Sequence, residues 1–205
     1  MAKNTKPKTT PRVIIGVPCS DSASMKARTA HAIGAMILKS EGLIVDFLLR
    51  ESCDIVSNRT HLVLQAIEKG ATHLLFIDSD MWFPPETLQQ LLSHKKHIVG
   101  ARYNKRQFPL TDVSKPLTEA SDTELYKAQH IGLGVTLIDL SIFQKVGAKS
   151  EKYPFGISWF NFGRDMQGSL VTGEDVWFCE AVRDAGYDVW VAPEIKVRHL
   201  GTYAF

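Results

Sequence analysis

His73-Leu74-Leu75-Phe76-Ile77-Asp78-Ser79-Asp80-Met81 decides the reading of this chain. A short apolar run ends abruptly in two carboxylates. The run has the length and β-forming content of a buried strand. Side chains alternate along a strand, so Asp78 and Asp80, two positions apart, can point the same way. In open α/β sheets, ligands gather beyond the carboxyl ends of the strands, and both acids fall at that end. Two neighbouring carboxylates repel unless something positive lies between them. A hard divalent cation, Mg²⁺ or Mn²⁺, bridging to a diphosphate meets that need. The plainer reading is a solvated turn, because aspartate is common in turns.

Working outward, residues 12–18 form a first apolar strand, buried on both faces. A polar loop, Cys19-Ser20-Asp21-Ser22, follows at its carboxyl end. An amphipathic helix is expected over residues 25–40, a second strand over 43–49, and a helix over 58–69 closed by Gly70. Past the two acids, Pro84 and Pro85 suit the first turn of a helix running to about His94. Residues 98–101 are a short strand. Residues 102–127 read as a long irregular loop with room for short edge strands, a segment type that is often functional or mobile. Residues 131–138 read as a strand interrupted by Gly132 and Gly134, where a backbone or ligand approaches closely. Residues 140–146 form a short helix and 151–170 an aromatic, glycine-rich loop over a cleft. A helix over 172–185 and strands over 187–192 and 195–199 close the chain. Alternating strands and helices imply one α/β domain over residues 12–205. Its sheet is mixed and mainly parallel, with helices on both faces.

Composition narrows the function classes. The chain has 205 residues, 44% of them hydrophobic and 22% charged, an ordinary balance for one domain with a proper core. A net charge of +2 is too small to argue for nucleic acid. Cys19, Cys53 and Cys179 are scattered, without a C-x-x-C pair, which speaks against a disulfide framework or zinc knuckle and favours a reducing compartment. No apolar run approaches transmembrane length and there is no apolar signal core, so a cytoplasmic location is expected. Residues 1–11, with Lys3, Lys6 and Lys8, read as a flexible basic tail.

Three further features carry chemistry. Thr172-Gly173-Glu174-Asp175 opens a helix; Thr172 suits an N-cap and the acids suit the helix dipole, so capping alone explains the pattern. The functional alternative is a carboxylate facing a cleft as general base towards a hydroxyl. His199 offers an imidazole that ligates Mn²⁺ well beside carboxylates, though a lone histidine is usually a surface or core residue. Arg59, in Asn58-Arg59 near a helix start, suits a phosphate, against a default of solvated surface.

Together these residues resemble the glycosyltransferases of the GT-A fold, and among them the family 2-like enzymes. The resemblance runs from about Arg12 to Gly201, and rests on Leu75-Phe76-Ile77-Asp78-Ser79-Asp80 followed by Pro84-Pro85, the Gly132-Leu133-Gly134 strand, Glu174-Asp175 and the late His199. It implies that Pro18, Ser20 and Asp21 hold the nucleotide base and Arg59 the nucleotide. Asp78 would contact ribose or reach the metal through water, with Ser79 beside it. Asp80 and His199 would hold Mn²⁺ or Mg²⁺. Asp175 would be the base of an inverting enzyme, with Glu174 orienting it or the acceptor. Gly134 and Trp159 would line the donor or acceptor pocket. The implied donor is a nucleotide sugar, a UDP-sugar by default, and the implied activity hexosyl transfer. The acceptor class stays open among a glycan, a lipid carrier, a protein and a modified nucleic-acid base.

Three rivals remain. In a phosphatase of the haloacid-dehalogenase type Asp78 would be the nucleophile, but that motif usually sits on the first strand. A nucleotidyltransferase would need a glycine-rich, basic loop after its first strand, and residues 19–25 lack both glycine and lysine. A non-catalytic nucleotide-sugar-binding module is the third.

Overall fold

The computed structural model describes residues 10–20, 24–117, 119–146, 152–153, 156–157 and 159–201. Most of the basic tail and part of the aromatic 151–170 stretch therefore lie outside the described residues. The elements, in chain order, are β1 (Val13–Cys19), α1 (Ala27–Lys39), β2 (Ile44–Glu51), α2 (Ile55–Glu68), β3 (His73–Ile77), β4 (Met81–Trp82), α3 (Thr87–Ser93) and β5 (Ile98–Ala101). There follow β6 (Lys115–Pro116), β7 (Tyr126–His130), β8 (Val135–Asp139), a 3₁₀ turn at Leu140–Ile142 and α4 (Phe143–Val146). Last come β9 (Lys152–Tyr153), β10 (Gly156–Ile157), β11 (Gly163–Arg164), β12 (Leu170–Thr172), α5 (Glu174–Asp184), β13 (Val189–Ala192) and β14 (Arg198–His199).

One eight-stranded sheet organises the molecule, in the order β2-β1-β3-β8-β5-β13-β7-β6. β1 runs parallel to both β2 and β3, and β13 parallel to β5. Only β8 and β7 run against the rest. The sheet is therefore mixed and mainly parallel, as the alternating pattern implies.

β1 and β3 are apolar on both faces because both faces are covered. On one side Ile14, Leu74 and Phe76 pack with Leu62 and Val63 of α2 and Phe178 of α5. On the other, Ile15, Leu75 and Ile77 pack with Ile33 and Met36 of α1 and Leu88 of α3. Truncating one such buried leucine to alanine costs about 2–5 kcal/mol, so this strand holds its place firmly.

Several boundaries differ from the sequence reading. α2 starts at Ile55, where the Asp54 side chain accepts from the Val56 N–H, so Arg59 lies a full turn inside it. α5 is capped at Gly173 with no side-chain bond, rather than at Thr172. The Thr172 hydroxyl instead accepts from the Gly163 N–H at 3.1 Å, tying β12 to β11. The strand expected over residues 131–138 begins only at Val135, as β8, with residues 131–134 forming the turn from β7, while β6 and the start of β7 fall within the 102–127 segment.

Candidate functional site

Beyond the carboxyl end of β3 lies a cleft of about 1030 Å³, lined by Arg59, Asp78, Tyr103, Arg106, Asp175 and His199 among others. Its floor is set by backbone. The Asp78 N–H donates to the Gly134 carbonyl at 2.9 Å, fixing the first acid where β3 meets the turn before β8. β4 then pairs antiparallel with β14, with His199 opposite Met81. The Leu200 N–H donates to the Asp80 carbonyl at 2.7 Å. This short ladder brings a histidine from the end of the chain beside the second acid.

Arg59 is the buried hub. Its position on α2 faces the core, with the guanidinium 5.1 Å above the Phe76 ring. Nη2 donates to Asp78 Oδ1 at 3.0 Å and Nε to Glu174 Oε1 at 3.2 Å. Burial works against its charge, but Asp78 and Glu174 more than offset that and raise its pKa. Nη1 is buried without a partner among the described residues. One guanidinium thus joins the β3 acid to the acid that opens α5.

Tyr103, which no sequence motif signals, explains the paired glycines. Its hydroxyl accepts from the Gly134 N–H at 2.9 Å. A Cβ on Gly132 or Gly134 would lie 2.3 or 2.6 Å from that hydroxyl oxygen. The close approach read at these glycines is made by a side chain of the chain itself. The Tyr103 ring meets His199 edge-on, with centroids 5.7 Å apart. Burial, then the Asp78 carboxylate, push its pKa well above the usual phenol value.

Asp80 accepts from Arg106 Nη1 at 2.8 Å through Oδ2, and its Oδ1 lies 3.3 Å from His199 Nε2. Burial would raise its pKa; the hydrogen bond and charge of His199, with Arg106 and Lys26, more than offset this and lower it. The other His199 nitrogen, Nδ1, is 3.3 Å from the Asn104 carbonyl. A carbonyl only accepts, so Nδ1 carries the proton there, and Nε2 faces a carboxylate. A proton on Nε2, or a cation between the two groups, satisfies that carboxylate. Anchoring of one ring nitrogen on a carbonyl while the other meets the metal is the common arrangement of metal-binding histidines. Among the described residues no group of three or more His, Cys, Asp or Glu side chains could hold a metal alone. Asp80 and His199 are two residues that could contribute to holding a Mg²⁺- or Mn²⁺-type ion, whose remaining ligands would have to come from water and a substrate phosphate.

Asp175 lines the cleft beside Glu174. Burial raises its pKa, and the neighbouring Glu174 charge raises it further. Its Oδ1 accepts from the Val176 N–H at 2.8 Å, which aims the carboxyl group. The site thus holds one acid clamped by arginine and another destabilised as an anion.

The remaining candidates are placed less centrally. Pro18 is buried in β1 and Ser20 is exposed just past it. Asp21 lies outside the described residues. Ser79 lies beside Cys19 of the first strand, and its carbonyl accepts from the Lys26 N–H at 2.8 Å. Gly134 lies under Tyr103. Trp159 requires a correction: it does not line this cleft. It is buried edge-on against Phe143, with centroids 5.0 Å apart, beside a separate hollow with Ile67 and Asp139. Its large ring packs in the core, while its indole N–H has no partner among the described residues.

Comparison with known proteins matches no family model, and no curated protein matches in sequence. Solved structures do match in shape. A197 from STIV superposes with a TM-score of 0.60 at 13% identity, over 93% of this chain and 86% of that one. GalNAc-T7, solved with UDP, GalNAc and Mn²⁺, superposes with a TM-score of 0.53 at 12% identity, over 96% of this chain. The chain spans 45% of the GalNAc-T7 chain. The fold is therefore a mixed α/β domain of GT-A-like architecture.

Proposed function

We propose that the chain is a metal-dependent glycosyltransferase that moves a sugar from a nucleotide diphosphate, a UDP-sugar by default, to an acceptor hydroxyl with inversion. The observation that carries this is the convergence of Arg59, Asp78, Asp175 and His199 on one cleft, with Asp80 bonded to His199 at its edge. Mg²⁺ or Mn²⁺ on Asp80 and His199 would neutralise the diphosphate as it leaves. Lys26, Lys105 and Arg106 at the same cleft add positive charge for phosphate oxygens. Asp78, held by Arg59, is positioned for ribose. Asp175 takes the acceptor proton as the acceptor oxygen bonds the anomeric carbon. The bond from that carbon to the diphosphate oxygen breaks, and its electron pair leaves on the phosphate. The GalNAc-T7 likeness supports the reading through the fold.

Asp175→Asn is the direct test of the base. Transfer should be lost while nucleotide-sugar binding is kept. Undiminished turnover would remove Asp175 from that role.

A further inference from the structure

β2 is the outermost strand on its side of the sheet. Along it, residues alternate between half-buried and exposed. The exposed set includes Val45, Phe47 and Leu49, at 40%, 37% and 49%. Beyond an irregularity near its start the strand is regular to Glu51, with neither lysine nor proline to blunt its edge.

The backbone direction can be read from its ladder with β1. Cys19 is in register with Glu51, and its carbonyl accepts from the Ser52 N–H. In a parallel ladder this turns the amides and carbonyls of Leu48 and Arg50 towards β1. Those of Phe47, Leu49 and Glu51 then face the open edge. The Phe47 N–H agrees: it donates to its own Asp46 Oδ1 at 2.8 Å.

We propose that this edge pairs with the same strand of a second copy, antiparallel about a two-fold axis at Leu48. Phe47 and Leu49 then exchange backbone hydrogen bonds with Leu49 and Phe47 of the second copy. Among two-fold registers that oppose the outward-facing groups, only this one sets Asp46 of each copy across from Arg50 of the other. Opposite charges directly across a ladder stabilise it and like charges oppose it. Arg50 is only half-buried at this edge, so its guanidinium group can meet the facing carboxylate. Asp46 can turn Oδ1 to that arginine once the Phe47 N–H bonds the second copy, while Oδ2 stays 2.9 Å from Lys69. The contact is self-complementary, as a two-fold interface requires.

Sedimentation velocity on the full chain over a concentration series tests this. A reversible dimer is expected. Asp46→Arg and Arg50→Asp should each weaken it by roughly tenfold or more, because like charges then face each other twice. An equimolar mixture of the two variants should recover a dimer containing one of each, countable by native mass spectrometry, because opposite charges face again. Should a charge variant fail to fold by circular dichroism, Leu49→Lys on the exposed face must dissociate the dimer instead. A wild-type chain that stays monomeric throughout would overturn the proposal. So would a dimer indifferent to these substitutions, or folded charge variants whose mixture stays monomeric.

Discussion

Arg59 Nη2 lies 3.0 Å from Asp78 Oδ1, joining the middle of a helix to the first carboxylate past β3. The same guanidinium reaches Glu174, so one residue sets the spacing between the strand that delivers the two aspartates and the helix that opens with Glu174 and Asp175.

Replacing Arg59 by alanine leaves two carboxylates facing each other without their cation. Breaking a buried pair from one side costs about 3–5 kcal/mol. Urea unfolding should show a loss of that order, and nucleotide binding should fall with it. A loss below about 1 kcal/mol, the range of exposed pairs, would mean that Arg59 is not the hub.

Gly134→Ala drives a methyl group into the Tyr103 hydroxyl and to 3.0 Å from Asp78 Oδ2. Overpacking of this kind costs about 1–3 kcal/mol. Tyr103→Phe removes the nearest atom, so it should recover part of that loss in the double variant. Thermal unfolding of the two single variants and the double variant checks this; strictly additive losses would deny the contact.

Asp175 has a raised pKa because burial and Glu174 disfavour its anion. The protein therefore bears a cost once pH rises above the ordinary aspartate value, and bears it fully above the folded value. Asp175→Asn should be more stable than the natural chain at neutral pH. That advantage should fade as pH falls through the window between folded and unfolded values. Activity should rise with pH across the same window, since the base must be ionised. A stability difference that does not change with pH would contradict the assignment of the raised value to Asp175.

The half-exposed Arg106 occupies Asp80, the acid assigned to the metal. With its cation half in solvent, the pair is worth about 1 kcal/mol, so Arg106→Ala should tighten Mn²⁺ binding a few-fold in the absence of nucleotide. Titration calorimetry measures this. Unchanged or weaker binding would show that Arg106 and the ion do not compete.

What could be read in advance depended on how local its cause was. The β3 run and its two acids are local, because a buried strand writes its burial into consecutive residues. Arg59 was legible as a cation suited to phosphate; that it would be buried between Asp78 and Glu174 was not, because Glu174 is distant in sequence. The two glycines announced a close approach without saying what approached. Tyr103 comes from an irregular segment, and only the tertiary fold lays it over them. Thr172 and Trp159 were misjudged for related reasons. Capping chemistry suits a threonine equally well as a strand tie, and an aromatic residue suits a pocket wall and a core alike.

The most direct test is nucleotide release from UDP-, GDP- and dTDP-sugars, with and without Mn²⁺, in the natural chain and in Asp80→Ala. The account predicts slow, Mn²⁺-dependent release from one donor, lost in the variant while its fold is retained. No release from any donor, together with no metal-dependent binding of the free nucleotides, would contradict it.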